Sequence, residues 1–217
     1  MKWSKLWGPI VGLEALGAAL GILSYHWIHS QALLRSVWPW VLARAAGLAG
    51  YGLLTVLVVL GLGMSHPVWK RHLSRRFFTW HRAMALGVFV LVAIHGVSLV
   101  LDRYAGVGWW ALIIPGLTRY RPLAVSVGVL GAELLCVLAV TAHMSKNWGR
   151  IKWITMHRWA VVTWAMVLAH GLWSGTDSRI LADFYYVTGA LVGMAALVRY
   201  AMEKSAGAPA PKGRESA

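Results

Sequence analysis

A chain of 217 residues that is 59% hydrophobic and 13% charged, with a mean hydropathy of +0.61, is too apolar for an ordinary water-soluble domain. Its apolar runs recur along the whole length, which puts it among integral membrane proteins. The net charge of +14 would suggest nucleic acid in a soluble protein, but here much of it falls in short loops between apolar spans, and no basic domain stands apart to bind nucleic acid.

Six helical spans are expected, at residues 7–27, 37–64, 77–101, 122–144, 154–173 and 181–202. Each is long enough to cross a hydrocarbon core of about 30 Å at about 1.5 Å per residue. The expected fold is therefore all-α, an integral membrane six-helix bundle. Residues 1–37 hold the first span and an outer loop. Residues 38–178 form the core, 179–202 the sixth span, and 203–217 a tail rich in Ala, Gly, Pro and Ser that is expected to be disordered.

The first span follows Lys2 and Lys5, as a signal peptide would, but its length and Glu14 favour a retained helix. His26 and His29 stand near its outer end, three residues apart, with no role assigned. The connection at 102–121 carries Trp109, Trp110, Ile113 and Ile114 and suits the membrane interface. The fourth span contains Glu133 and the single cysteine, Cys136. One thiol makes neither an internal disulfide nor a cysteine cluster, and packing is its expected role.

Basic residues set the orientation. One side would carry thirteen of the 21, including Lys70, Arg71, Arg75 and Arg76, and Lys146, Arg150 and Lys152. The other would carry five: Arg35, Arg103, Arg119, Arg121 and Arg179. The positive-inside rule then places both termini in the cytoplasm. Arg44, Arg82 and Arg158 fall within spans.

Two spans share a pattern. The third reads HRAMALGVFVLVAIHG and the fifth HRWAVVTWAMVLAHG, so both begin His-Arg and end His-Gly. The histidines are His81 and His95, then His157 and His170. The two spans run in the same direction, so each level of the membrane receives one imidazole from each helix. His81 and His157 form an inner level, and His95 and His170 an outer one. Imidazoles facing each other across a gap between helices suit the two axial positions of a haem iron. A filled axial pair leaves no site for oxygen and implies one-electron transfer.

Helical phase fits one span better than the other. Fourteen residues return His95 to within about 40° of His81, whereas thirteen leave His170 about 140° from His157. The fifth span is therefore expected to contain a π-bulge or a bend, or to approach its partner from another angle. Arg44, Arg82 and Arg158 are candidate partners for haem propionates, which are costly to bury alone. Arg82 and Arg158 read equally well as topology determinants that snorkel to the interface.

With its 14-residue and 13-residue histidine pairs, the chain resembles the ferric reductase-like transmembrane family. That family includes the membrane cores of NADPH oxidases and ferric-chelate reductases, and the haem subunit of the bacterial methionine sulfoxide reductase system. RAAGLAGYGLL from Arg44, LDRY from Leu101, RYRPLAVSVGVL from Arg119 and HGLWSGTDS from His170 look like its bacterial branch. The resemblance covers about residues 38–178. It implies two b-type haems, held by His81 with His157 and by His95 with His170, in a bacterial inner membrane. The full reductases continue into a flavin and nicotinamide domain, whereas only 15 residues follow the sixth span here. A separate flavoprotein or quinol is therefore the expected electron donor, and ferric iron or an outer reductase the acceptor. Two alternatives stand beside this one. The first is a haem and flavin (FMN or FAD) subunit serving a methionine sulfoxide reductase-type partner. The second is a transporter whose histidines line a path.

Overall fold

The computed structural model describes residues 21, 23–24, 32–66, 75–145, 150–175 and 179–206. Among them the secondary structure is helical, with no strand. The elements are α1 (Ala32–Ser65), α2 (Arg75–Leu101), a short 3-10 turn (Trp109–Leu112), α3 (Pro122–His143), α4 (Arg150–His157), α5 (Ala160–Ser174) and α6 (Ala182–Ala206). The first expected span, with Glu14, His26 and His29, lies outside the described residues apart from positions 21, 23 and 24.

Four stretches are long and apolar enough to cross a membrane: Val37–Ser65, Arg76–Leu101, Pro122–His143 and Ala182–Ala201. They match the second, third, fourth and sixth expected spans within a few residues. The fifth differs. It is split into α4 and α5 by two residues, Arg158 and Trp159, that belong to neither helix. Among the described residues, four of the six expected spans and one divided helix are observed. Helix α6 runs on to Ala206.

Each helix must satisfy its polar groups internally, since lipid offers no hydrogen bonds. Hydroxyls do this by bonding back to their own helix. Thr55 donates to the Tyr51 carbonyl at 2.9 Å, Ser126 to Pro122 at 2.6 Å, Thr163 to Trp159 at 3.2 Å and Thr188 to Phe184 at 2.7 Å.

Helix α1 is the hub, packing on α2, α5 and α6. Helix α3 packs on α4 and α5. The core joins Tyr51, Leu54, Leu57, Val58 and Leu62 of α1 to Val88 of α2, Trp164 of α5, and Tyr185 and Val192 of α6. Two hydrogen bonds cross it. Trp164 Nε1 donates to Thr55 Oγ1 at 2.9 Å, and the Tyr51 and Thr188 hydroxyls meet at 2.5 Å. The Tyr51 ring also stacks on Trp164 at 6.3 Å and meets Tyr185 at 5.2 Å. Trp164 is therefore a central packing residue.

The outer faces are apolar. Leu86, Val90, Leu123, Val140, Val187 and Leu197 are exposed on their helices. Such surface has no place in water and fits a lipid bilayer. Cys136 and Glu133 lie on exposed faces of α3, so neither packs into the bundle. In the 102–121 connection, Asp102 is buried and accepts the Tyr104 N–H at 3.0 Å. Trp109, Trp110, Ile113 and Ile114 project outward.

Candidate functional site

His81 and His95 stand on one uninterrupted helix, α2, about 21 Å apart along its axis. Their partners stand on the divided one: His157 is the last residue of α4, and His170 lies one turn before the end of α5. At the division the backbone tightens. The Trp159 N–H donates to the Met156 carbonyl at 3.1 Å, and the Val161 N–H to Arg158 at 3.3 Å. Both bonds span three residues rather than four.

A three-residue turn advances about 120° per residue against about 100° in an α-helix. This overwinding carries His170 toward the phase of His157. The interruption is thus a tightened turn, and the sequence has no Gly or Pro there to announce it.

The structure brings the histidines together in the expected pairs. The His81 and His157 ring centres are 6.1 Å apart at an interplanar angle of 65°. Those of His95 and His170 are 6.3 Å apart at 84°. A metal–imidazole bond is about 2.0–2.1 Å and the ring centre lies about 1.1 Å behind the bonding nitrogen, so two imidazoles trans across one metal stand about 6.3 Å apart. The helices themselves keep their distance: α2 leans on α1 and α5 on α3, and α2 and α5 are not a closely packed pair.

The second ring nitrogens differ between levels. His95 Nδ1 lies 2.7 Å from the Ala43 carbonyl oxygen, and His170 Nδ1 lies 2.8 Å from that of Ala124. A carbonyl can only accept, so each Nδ1 carries the proton and each Nε2 keeps its lone pair. This is the arrangement that orients a metal-ligating histidine. His81 Nδ1 and His157 Nδ1 are buried with no hydrogen-bond partner among the described residues. His157 is steadied instead by Trp153, stacked at 5.5 Å.

The loop before α3 braces the His170 end. Arg121 Nη1 donates to the Trp173 carbonyl at 2.5 Å, and the Tyr120 hydroxyl to that of Ser174 at 3.1 Å. Arg121 does so from a left-handed backbone conformation, φ 39°. The Ser174 hydroxyl bonds the His170 carbonyl at 2.5 Å.

The candidate arginines divide. Arg44 directly follows Ala43 and so belongs to the His95 level, with its guanidinium 4.1 Å above the Trp40 ring. Arg82 and Arg158 follow the other two histidines and are exposed. Exposure suits interfacial snorkelling as well as it suits a propionate.

Among the described residues no three His, Cys, Asp or Glu side chains gather as a metal cage. Two imidazoles alone cannot complete a four-ligand site. A porphyrin brings its own four nitrogens and needs only an axial pair, so the residues present fit haem better than a bare ion. Sequence reading missed Ala43, Ala124, Tyr120, Arg121 and Trp153 as supports of these rings. Comparison of the chain with protein-family models, with curated proteins and with solved structures finds no match.

Proposed function

We propose that this protein is a di-haem b-type membrane cytochrome that carries electrons across a bilayer. The observation that carries the reading is the pair of imidazole pairs, with ring centres 6.1 and 6.3 Å apart, at two depths of one bundle. Haem bound there would supply one-electron ferric–ferrous cycling.

The chain's own residues do the rest. His81 with His157, and His95 with His170, would each hold one haem, leaving it no open site for oxygen or carbon monoxide. The carbonyls of Ala43 and Ala124 hold the protons of His95 and His170 on Nδ1. Arg44 would neutralise a propionate at the His95 level, and Arg82 and Arg158 would do so from the interface at the other. The apolar core around Tyr51, Leu54 and Trp164 keeps water from the space between levels.

Electrons enter from the cytoplasmic face, where both termini lie, and leave at the outer face. The donor is a flavoprotein or membrane quinol. The acceptor is ferric iron or a partner reductase.

The test is vectorial. Protein is reconstituted into sealed vesicles with ferricyanide trapped inside and a membrane-impermeant reductant outside. The trapped oxidant should be reduced at least tenfold faster than in protein-free vesicles, and the His95→Leu variant should lose that advantage. Equal rates with and without protein would contradict the proposal.

A further inference from the structure

Two helices outside the histidine repeat share a second pattern. Residues 43–50 read ARAAGLAG and residues 124–131 read AVSVGVLG, so Ala-x3-Gly-x2-Gly occurs in α1 and again in α3. Each copy packs on a helix that carries a histidine ligand, α1 on α2 and α3 on α5.

The same contact is made twice. The alanine carbonyl accepts the imidazole Nδ1–H, at 2.7 Å for Ala43 and 2.8 Å for Ala124. The first glycine, one turn later, faces the same ring. A Cβ on Gly47 would stand 3.0 Å from His95 Nδ1, and one on Gly128 would stand 2.5 Å from His170 Nδ1 and 2.7 Å from its Cγ. The second glycine faces the turn before the histidine, with Gly50 against Leu91 at 3.4 Å and Gly131 against Val167 at 3.4 Å and Met166 at 3.5 Å.

The spacing has a physical reason. In a helix the carbonyl of residue i accepts the N–H of residue i+4. The alanine carbonyl is thus already engaged by the glycine's own N–H and has one lone pair left. A Cβ at i+4 would crowd the ring that reaches for that lone pair. Glycine there leaves room for a flat ring to lie on the helix and reach it.

We propose that Ala43 with Gly47, and Ala124 with Gly128, are paired cradles that position the imidazoles of the His95–His170 level, turning each Nε2 toward the iron. The proposal rests on the di-haem reading. Gly47 and Gly128 are positioning residues and touch no reacting atom. Among the described residues the His81–His157 level has no matching cradle. Gly61 would put a Cβ 3.4 Å from His81 Cε1, an ordinary contact.

Three variants of the full chain, G128A, G47A and G61A, test this by haem-to-protein ratio and by the electron paramagnetic resonance of the ferric state. G128A should fall from two haems to one, with the resonance of the remaining haem unmoved. G47A, where the ring has to give only slightly, should keep two haems but shift one of the two low-spin resonances. G61A should match the unmodified chain. Alanine favours helix over glycine, so melting temperatures should not fall in step with haem loss. If G128A does not accumulate, the shift in G47A decides.

Two haems with unmoved spectra in G128A and G47A would overturn the cradles and leave the di-haem reading standing. Equal haem loss in G61A would also overturn them. An unmodified chain without haem would overturn both.

Discussion

At the His95–His170 level each imidazole is fixed at two points, by a carbonyl on its Nδ1 and by a glycine that lets the ring lie flat. At the His81–His157 level neither Nδ1 meets a partner among the described residues, and Trp153 stacked on His157 is the main restraint. The ring-centre distances are nearly the same, 6.3 and 6.1 Å. Similar spacing thus hides different preorganisation. A ligand pair oriented before it binds loses less freedom on binding, and hydrogen-bonded imidazole is the stronger donor. The first level should grip haem more tightly and the second should be the more adaptable.

The largest effect should come from removing ligands. His95→Leu and His81→Leu should each halve the haem content, leaving spectra that sum to the original. The double variant should be colourless. If either single variant lost both haems, the levels would not be independent.

The two single-site proteins then measure the comparison itself. Each Nδ1 hydrogen bond contributes about 0.5–1.5 kcal/mol net. Haem titration should therefore show His81→Leu, which keeps the cradled pair, binding about tenfold or more tightly than His95→Leu. Equal affinities would remove the distinction.

Trp153→Ala acts in the opposite place. Loss of an aromatic contact of about 0.5–1.5 kcal/mol should weaken haem several-fold at the His157 level and leave the other resonance unmoved. A shift at both levels would show the stack to be merely structural.

A smaller effect concerns the brace on α5. Arg121→Ala should lower stability by about 1 kcal/mol through loss of the bond to Trp173, read as a fall in melting temperature. Arg121→Gly should recover part of that, since a left-handed residue with a Cβ carries about 1–2 kcal/mol of strain. Cys136→Ala, on an exposed face, should change stability by less than about 0.5 kcal/mol.

Much of this arrangement was legible in the sequence. The positions of four spans followed from apolar run length alone, and the pairing of His81 with His157 and of His95 with His170 followed from helix direction and depth. The phase of the fifth span was not legible, because a helix of uniform rotation leaves His170 far from the phase of His157. The three-residue turns at Trp159 and Val161 break that uniformity without any Gly or Pro to mark them. Cys136 was expected to pack. Its apolar setting could not separate a core face from a lipid face, since both are hydrophobic in a membrane helix.

The supports of the rings were harder to see. Ala43 and Ala124 act through backbone carbonyls, which every residue has, so side-chain chemistry gives no clue. The repeated Ala-x3-Gly-x2-Gly was a readable signal, but glycine is common in membrane helices for packing alone. Only its register against a histidine on the neighbouring helix gives it meaning.

The most direct measurement is the visible spectrum of the purified full chain, oxidised and reduced, taken with a haem-to-protein ratio and exposure to carbon monoxide. Two b-type haems per chain, both low-spin and both indifferent to carbon monoxide, are the expected result. Colourless protein, or a haem that binds carbon monoxide readily, would mean that the four imidazoles do not close on iron in pairs.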